Sequence, residues 1–290
     1  MPALSRDQLK KAVDGALRVR KKAKIPVTHP LCVYSVADAV GVDVRFVGGN
    51  SFGGMYVRDF GRILIPSRRP PGRQAFTCAH ELGHWHFDHG TRVEQIDLLD
   101  KGGDDDPEER LANVFATYLL IPKWAVEDAL RRRSLSPSRA SALEFYGVAN
   151  QLGVGYETLL KHLHYGLGLL SSQRLTELLK DTPKAIRETI LGANPPGHLI
   201  LADPHWHAVA VDLAVGDAVR LPDDAAWTGP VLRHAGPCVG GQRADAVRPG
   251  IVQVVSPSTG WGVFVRVARA DYTGRSKYRF LEDPDVDEPS

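Results

Sequence analysis

The sequence feature that most constrains this chain is the run His-Glu-Leu-Gly-His at residues 80–84. Residues four apart on an α-helix lie one above the other on the same face, so a helix here would bring His80 and His84 to one metal ion. Pro70 and Pro71 precede the run and mark the start of the predicted helix. The spacing therefore predicts a metal-binding helix, and the alternative is a chance placement of these side chains on a helix surface.

Glu81 follows the first of these histidines directly. A zinc ion that catalyses a reaction has three protein ligands and one water, and it lowers the pKa of that water from about 16 to about 7. Glu81 is placed to take the proton of the water and to pass it to a leaving amine, so we expect it to be a general base rather than a ligand. His86 and His89 lie near the predicted helix end and are not expected to bind the metal.

A third ligand is expected on a second helix, which Asp106 and Pro107 begin as the N-cap and the first helical residue. Glu109 is the predicted third ligand, and Asn113, one turn later on the same face, is predicted to hydrogen-bond a ligand histidine. Two alternatives stay open at this point. Glu109 lies three residues after Asp106, where the glutamate of a capping box is found, and Glu108 could be the ligand instead.

These two segments together resemble the ImmA/IrrE family of zinc metallopeptidases. The first segment reads RQAFTCAHELGH, and the second, some two dozen residues later, reads ERLANVFATYLLIP. In the family the second segment is roughly E-x-x-A-N-x-F-A-x-x-L-L-M-P, so the ligand glutamate of the family falls on Glu109 and its asparagine on Asn113. Ile121 replaces the usual methionine, and the resemblance covers residues 30–165.

The resemblance implies an α+β fold with a zincin-like metallopeptidase domain, and zinc as its cofactor with manganese as the alternative ion. It also implies a protein substrate, because family members cut a helix-turn-helix transcriptional repressor at one site and so release stress-response or mobile-element genes from repression. Two other functions stay open. The chain could be a DNA-binding regulator with a structural metal, or a sensor that keeps the metal and no longer cuts.

Length and composition are those of a globular chain of two or three domains, with 290 residues, 43% apolar and 24% charged. The sequence has no run of eighteen apolar residues and no secretory signal, so no membrane partner is expected. Its cysteines, Cys32, Cys78 and Cys238, are few, odd in number and far apart. They favour a cytoplasmic protein with free thiols, and Cys78 is expected to pack as a small apolar side chain.

Residues 9–24 form a basic segment for which an amphipathic helix is predicted. Its apolar positions are Leu9, Val13, Leu17 and Val19. The lysines and arginines of the segment, Arg20 among them, are expected on a solvated face.

Strands are predicted at residues 42–48, 53–57 and 62–66, after a short helix that begins at Val33. The resemblance to zinc peptidases implies that one of these strands is an edge strand to which an extended substrate pairs. Residues 54–57 are expected to be that edge, with an ordinary strand of the sheet as the alternative. The acidic residues 94–106 are expected to form a surface loop at the mouth of the site.

The domain organisation follows from the change in pattern along the chain. Residues 1–135 are predicted to be the zinc metallopeptidase domain, residues 136–195 a helix-turn-helix-like helical element, residues 196–282 a small β-rich domain and residues 283–290 a disordered tail. In the radiation-response branch of the family, a sensor-like GAF domain follows the helix-turn-helix-like element. The resemblance therefore implies a GAF-like C-terminal domain, whose ligand no motif identifies.

The helix-turn-helix-like element has its turn at Gly153. A DNA-reading second helix needs several basic or amide side chains that reach base edges and phosphates. The side chains offered here are Tyr156, Glu157, Thr158, Lys161 and His162. This set predicts a helix that packs against the rest of the fold, and direct DNA binding is not expected.

Overall fold

The computed structural model of the chain describes residues 5–49, 53–90, 92–93, 106–192 and 197–282. It divides into two compact units. The first unit comprises Met1–Ala125 and Asp271–Lys277, and the second unit comprises Val126–Ala270 and Tyr278–Ser290. No helix in the described part of the chain is both long and apolar enough to cross a membrane.

Two of the expected segments lie outside the described residues. They are the predicted disordered tail at residues 283–290 and all but the last residue of the acidic loop at residues 94–106. The division into functional domains at residues 135 and 195 stays a prediction, as does the cytoplasmic location.

The first unit combines helices with a five-stranded mixed sheet. Numbered along the chain, its helices are α1 (Arg6–Lys22), α2 (Val33–Val40), α3 (Pro71–His86) and α4 (Pro107–Leu120). Its strands are β1 (Asp43–Val47), β2 (Met55–Val57), β3 (Arg62–Pro66), β4 (Arg92–Val93) and β12 (Gly274–Arg275). The strand order is β12-β1-β3-β2-β4, in which β1 and β3 are parallel and the other neighbours antiparallel. The three strands predicted between residues 42 and 66 are confirmed.

The alternation of side chains along β1 and β3 explains why one face of this sheet is buried. The inward residues are Val44, Phe46, Ile63 and Ile65, none of them more than 6% exposed. On the other face the Asp43 carboxylate accepts hydrogen bonds from Arg62 at 3.0 Å and from Arg275 at 3.0 Å. Arg275 lies in β12, so a stretch that the sequence analysis placed in the C-terminal domain adds a strand to the sheet of the first unit.

The prediction that residues 54–57 form a free edge strand is wrong. Strand β2 lies between β3 and β4, and β4 pairs with it at Met55 and Tyr56. Strand β4 has only two residues, Arg92 and Val93, which is too short for an alternating pattern to predict it. An extended substrate therefore cannot pair with Met55 and Tyr56 while β4 occupies that side.

Helix α1 buries a different face from the expected one, and a charged residue lies on it. The buried residues are Ala12, Gly15, Ala16, Val19 and Arg20. Arg20 is fully buried, and its guanidinium donates hydrogen bonds to the backbone carbonyls of Leu119, Pro26 and His29. Burial lowers the pKa of Arg20 to about 10, which still leaves it charged at neutral pH. The expectation of a solvated Arg20 is therefore wrong, because carbonyl groups replace the water that its charge requires.

Replacing Arg20 with Met should lower the free energy of unfolding by about 2–4 kcal/mol, because hydrogen bonds to a buried charged group are lost and their carbonyls are left without that donor. One of them, the Leu119 carbonyl, lies in the last turn of α4, where no intrahelical donor is available. Urea denaturation measures the change. Arg18→Met is the matched control, since Arg18 is exposed on the same helix; equal losses in the two variants would contradict the role given to Arg20.

The second unit contains the remaining helices and strands. Its helices are α5 (Lys123–Arg132), which begins in the first unit, α6 (Ala142–Gln151), α7 (Tyr156–Lys161), α8 (Ser172–Leu178) and α9 (Pro183–Leu191). Its strands are β5 (Leu199–Leu201), β6 (Val211–Ala214), β7 (Ala218–Leu221), β8 (Leu232–Cys238), β9 (Gly241–Ala246), β10 (Gly250–Ser256) and β11 (Trp261–Ala268). They form a three-stranded sheet, β10-β11-β6, and a four-stranded sheet, β5-β7-β9-β8.

The two sheets of the second unit share one apolar core, to which Val211, Val219 and Val265 contribute fully buried side chains. Residues 197–270 are all described, and none of them is helical. The β-rich character predicted for this region is thus confirmed, while its likeness to a GAF domain stays a prediction.

Helices α6 and α7 lie where the helix-turn-helix-like element was predicted, with Gly153 between them at φ +70°. Helix α6 also forms hydrogen bonds with strand β5. The Tyr146 hydroxyl donates to the Leu199 carbonyl at 2.8 Å, and the Leu201 N–H donates to Asn150 Oδ1 at 2.9 Å. The positions of the two helices are therefore confirmed, and their helix-turn-helix character stays a prediction.

Candidate metal centre

Helix α3 carries three of the predicted site residues into the interior of the first unit. His80, Glu81 and His84 are only 1%, 3% and 3% exposed. Pro71 is the first residue of the helix, where its missing N–H costs no hydrogen bond. The predicted helix is confirmed, and its one-turn spacing brings Nε2 of His80 to 3.0 Å from Nε2 of His84.

Helix α4 brings Glu109 to these two histidines. One Glu109 carboxylate oxygen lies 3.1 Å from His80 Nε2, and the other lies 3.5 Å from His84 Nε2. The N-cap hydrogen bond of the Asp106 side chain comes from the Glu108 N–H, at 2.9 Å. The Glu109 side chain thus faces the histidines, which favours the ligand alternative over the capping-box alternative.

The three side chains fit a metal ion of the size and preference of zinc. Their ligand atoms all lie within 4.8 Å of one another, and the contacts between them are 3.0, 3.1 and 3.5 Å. Tetrahedral coordination with bonds of about 2.1 Å separates neighbouring ligand atoms by about 3.4 Å. Two imidazole nitrogens and a carboxylate oxygen also form a donor set that zinc enzymes use.

Asn113 lies against the first histidine. Its Oδ1 is 3.0 Å from His80 Nδ1. An amide oxygen can only accept, so Nδ1 carries the hydrogen and a neutral His80 keeps a lone pair on Nε2, the atom that faces Glu109. Burial by itself would raise the pKa of the Glu109 carboxyl, but when the rings of His80 and His84 are protonated, their Nε2–H groups donate to this carboxylate and their charges attract it, and together these effects lower the pKa. Glu109 is therefore an anion at neutral pH, as a metal ligand must be.

The two histidines that were not expected to bind the metal have different surroundings. His86 stacks on Phe115 with ring centroids 5.4 Å apart, and burial, followed by the charges of Arg18 and Lys11, lowers the pKa of His86. His89 instead places its Nδ1 2.9 Å from His84 Nδ1, a contact that the sequence analysis missed. Neither ring belongs to the group of candidate ligands.

Cys78 lies two residues before the first histidine and is fully buried. The expectation that it packs as a small apolar side chain is confirmed. It does not belong to the candidate ligand group either.

Gly83 allows the two helices that carry the candidate ligands to approach closely. A Cβ added there would lie 3.0 Å from the Ala112 Cα and 3.2 Å from the Phe115 ring. Since α3 carries the histidines and α4 carries Glu109, the missing side chain of Gly83 determines how closely the two parts of the site can approach each other.

Replacing Gly83 with Ala should therefore destabilise the protein and weaken its binding of Zn²⁺. Alanine gains about 1 kcal/mol over glycine within a helix, but forcing a methyl group against backbone costs about 1–3 kcal/mol. Gly147→Ala in α6 is the matched control, because a Cβ there would lie 3.9 Å from Leu201 Cβ, an ordinary contact distance. Thermal unfolding and a zinc titration measure both variants. Gly147→Ala should stabilise the protein. If Gly83→Ala stabilises it to the same extent, the role given to this contact is refuted.

A second close approach concerns Glu81. A Cβ added to Gly54, the residue before β2, would lie 3.0 Å from Glu81 Oε1 and 2.3 Å from Thr77 Cγ2. The backbone before β2 thus lies against the predicted general base, and only glycine fits there without displacing Thr77. The sequence analysis placed this glycine in a predicted strand, because nothing local shows that a distant helix touches it.

The comparison with known families concerns the segment that contains both helices of the candidate metal centre. Residues 37–164 match the IrrE N-terminal-like domain. This part of the chain belongs to the ImmA/IrrE family. The resemblance that the two sequence segments indicated is confirmed. A metallopeptidase-like domain of this family also agrees with the mixed helices and strands of the first unit.

Two individual proteins are similar to the chain. The radiation response metalloprotease IrrE of Deinococcus radiodurans is 33% identical over 112 residues, which are 36% of this chain and 31% of that protein. The match thus spans about a third of the length of this relative. A solved structure described as a Mycobacterium tuberculosis transcriptional regulator is 18% identical and covers 53% of this chain and 46% of that one, with a TM-score of 0.37. At that TM-score the likeness supports no statement about fold or function.

Proposed function

We propose that the chain is a zinc-dependent endopeptidase that cuts a protein substrate at one defined site. His80, His84 and Glu109 would hold the metal, and Glu81 would be the general base. The observation that carries the proposal is the convergence of two imidazole nitrogens and a carboxylate within 4.8 Å of one another, one residue away from a buried glutamate. This arrangement leaves a fourth coordination position for water, as catalytic zinc sites do.

The chemistry divides between the metal and Glu81. Zinc held by three such ligands lowers the pKa of a water molecule from about 16 to about 7. The Glu81 carboxylate takes the proton of the attacking water and then gives it to the leaving amine of the cut peptide. Burial of Glu81, at 3% exposure, keeps bulk water from competing for that proton.

The alternative with a purely structural metal receives less support. Structural zinc sites are usually closed by four ligands, most of them cysteines. Among the described residues, His80, His84 and Glu109 form the single group of three or more histidines, cysteines and acids that could hold a metal. The three cysteines lie outside this group.

The DNA-binding alternative is also disfavoured by the surroundings of helix α7. The Tyr156 hydroxyl donates to the Leu178 carbonyl at 2.9 Å, and both Tyr156 and His162 are buried. Lys161 forms an ion pair with Glu157 at 3.4 Å. Of the side chains that a recognition helix would use, two are thus buried and the basic one lies beside an acid. This supports the interpretation of α7 as a packing helix.

The substrate that we propose is a helix-turn-helix transcriptional repressor, whose cleavage would release stress-response or mobile-element genes. The proposal rests on membership of the ImmA/IrrE family and on the Deinococcus relative, which is described as a radiation response metalloprotease. The β-rich part of the second unit would be a GAF-like sensor that controls the cleavage, with a ligand yet to be identified.

The test combines metal content and cleavage on the same purified protein. The repressor encoded beside this gene is the first candidate substrate, and mass spectrometry of the products shows whether one peptide bond is cut. We expect zinc at one ion per chain, a single pair of new termini, and loss of cleavage on chelation with recovery on zinc addition. A protein that binds zinc but leaves this repressor intact would contradict the proposed substrate, and one that binds no metal would contradict the proposed enzyme.

A further inference from the structure

The C-terminal end of helix α3 is closed by a Schellman motif. Asp88 has the left-handed conformation, with φ +59°. Its N–H donates to the Trp85 carbonyl at 3.3 Å, and the N–H of His89 donates to the His84 carbonyl at 3.0 Å. These two bonds are the pair that defines the motif. The chain therefore turns back on the helix so that His89 lies beside His84.

The side chains of these two histidines are also in contact. Their Nδ1 atoms are 2.9 Å apart and their ring centroids 5.0 Å apart, with the rings nearly perpendicular. His89 is 7% exposed. His89 thus makes two contacts with His84, one to the backbone carbonyl of His84 and one to the ring of His84.

One hydrogen fits between the two Nδ1 atoms. Which of the two histidines carries it decides whether Nε2 of His84 can bind a metal. If His84 donates, a neutral His84 keeps the lone pair of Nε2, the atom that lies 3.0 Å from His80 Nε2 and 3.5 Å from Glu109. If His89 donates, a neutral His84 carries its hydrogen on Nε2 and has no lone pair there for a metal. Only the first arrangement allows His84 to be a ligand.

We propose that His89 is a positioning residue that accepts the Nδ1–H of His84 and so fixes the tautomer and orientation of this ligand. The proposal rests on the proposed function, because it takes His84 to bind the metal. Asn113 does the same for His80 through Oδ1. Each ligand histidine then has one hydrogen-bond acceptor behind it, and the one behind His84 is supplied by the helix end rather than by another helix. Such outer partners orient the ring and raise its basicity.

The test compares two substitutions of His89 with Zn²⁺ alone as the probe. His89→Phe keeps a flat ring but removes the acceptor, while His89→Asn loses the ring and offers Oδ1 as an acceptor close to the former Nδ1. Competition with a chromophoric chelator gives the zinc affinity, and the visible spectrum of the Co²⁺-loaded protein reports the ligand geometry. We expect His89→Phe to lower zinc affinity about 10- to 100-fold and to alter the cobalt spectrum. His89→Asn should stay within about threefold of the parent.

A merely structural role for His89 would give the opposite order, because Phe fills the buried space better than Asn. Parental affinity in His89→Phe, or an equal loss in both variants, would overturn the proposal. His89→Leu replaces the phenylalanine variant if that protein does not fold. Asp88→Gly is the control for the turn and should bind zinc like the parent, because glycine adopts the left-handed conformation freely. A parent protein that binds no zinc would count against the proposed function instead.

Discussion

Replacing Glu81 with Gln should lower the rate of substrate cleavage about a hundred- to ten-thousand-fold while zinc content and thermal stability stay at the parental values. The amide keeps the size and polarity of the side chain but cannot take a proton from water. Glu81 is also not a member of the candidate ligand group, so the metal should remain. Single-turnover cleavage of the candidate repressor, with zinc measured on the same sample, checks both parts of this expectation.

Glu127 gives a matched control for this variant, because Glu127→Gln is the same chemical change on helix α5 and outside the site. It should cut at the parental rate. Cleavage at that rate by Glu81→Gln would place the activity elsewhere in the chain. Loss of zinc or of the fold in Glu81→Gln would instead mean that Glu81 is structural.

Replacing Glu109 with Ala should remove most of the zinc, because an open catalytic site needs three protein ligands and this change leaves two. The loss of affinity should exceed the about 10- to 100-fold that is typical when only an outer hydrogen-bond partner of a ligand is removed. The Glu109 carboxylate also lies close to both ring nitrogens, at 3.1 Å from His80 Nε2 and 3.5 Å from His84 Nε2. A zinc titration in the presence of a competing chelator measures the change.

Glu108→Ala is the control for the third ligand. It removes a carboxylate from the same helical turn without touching the contacts of Glu109, and should retain zinc. If Glu108→Ala loses the metal and Glu109→Ala keeps it, the third ligand has been assigned to the wrong glutamate.

The parts of the site that could be predicted from the sequence are those with local signals. Helix α3 has Pro71 at its first position, α4 has Asp106 as its N-cap, and the four-residue spacing of His80 and His84 is meaningful only on a helix. Such signals need no knowledge of distant segments. They gave both helices of the candidate metal centre and its two histidines, whereas the choice of Glu109 over Glu108 rested on the resemblance to the ImmA/IrrE family.

The parts that could not be predicted depend on residues far apart in the chain or on a rare backbone conformation. Arg20 is buried because it meets the carbonyl of Leu119, 99 residues away. His89 reaches His84 because Asp88 adopts a left-handed conformation that glycine more commonly adopts. The charge of Arg20 predicts an exposed side chain, whereas the structure buries it. The identity of Asp88 predicts no left-handed residue, whereas the structure has one, so local reasoning fails at both positions.

Because strand β12 comes near the end of the chain, the first unit can be completed only late in synthesis. The second unit separates Ala125 from Asp271 along the chain, and Arg275 must reach β1 before the sheet has all five strands. Domains that are continuous in sequence can fold one after another as they leave the ribosome. The first unit is not continuous, so during translation its sheet stays one strand short until almost the entire second unit has been made. A chain released early, at any point before residue 274, would carry every proposed zinc ligand on helices α3 and α4 of a unit whose sheet lacks its β12 edge.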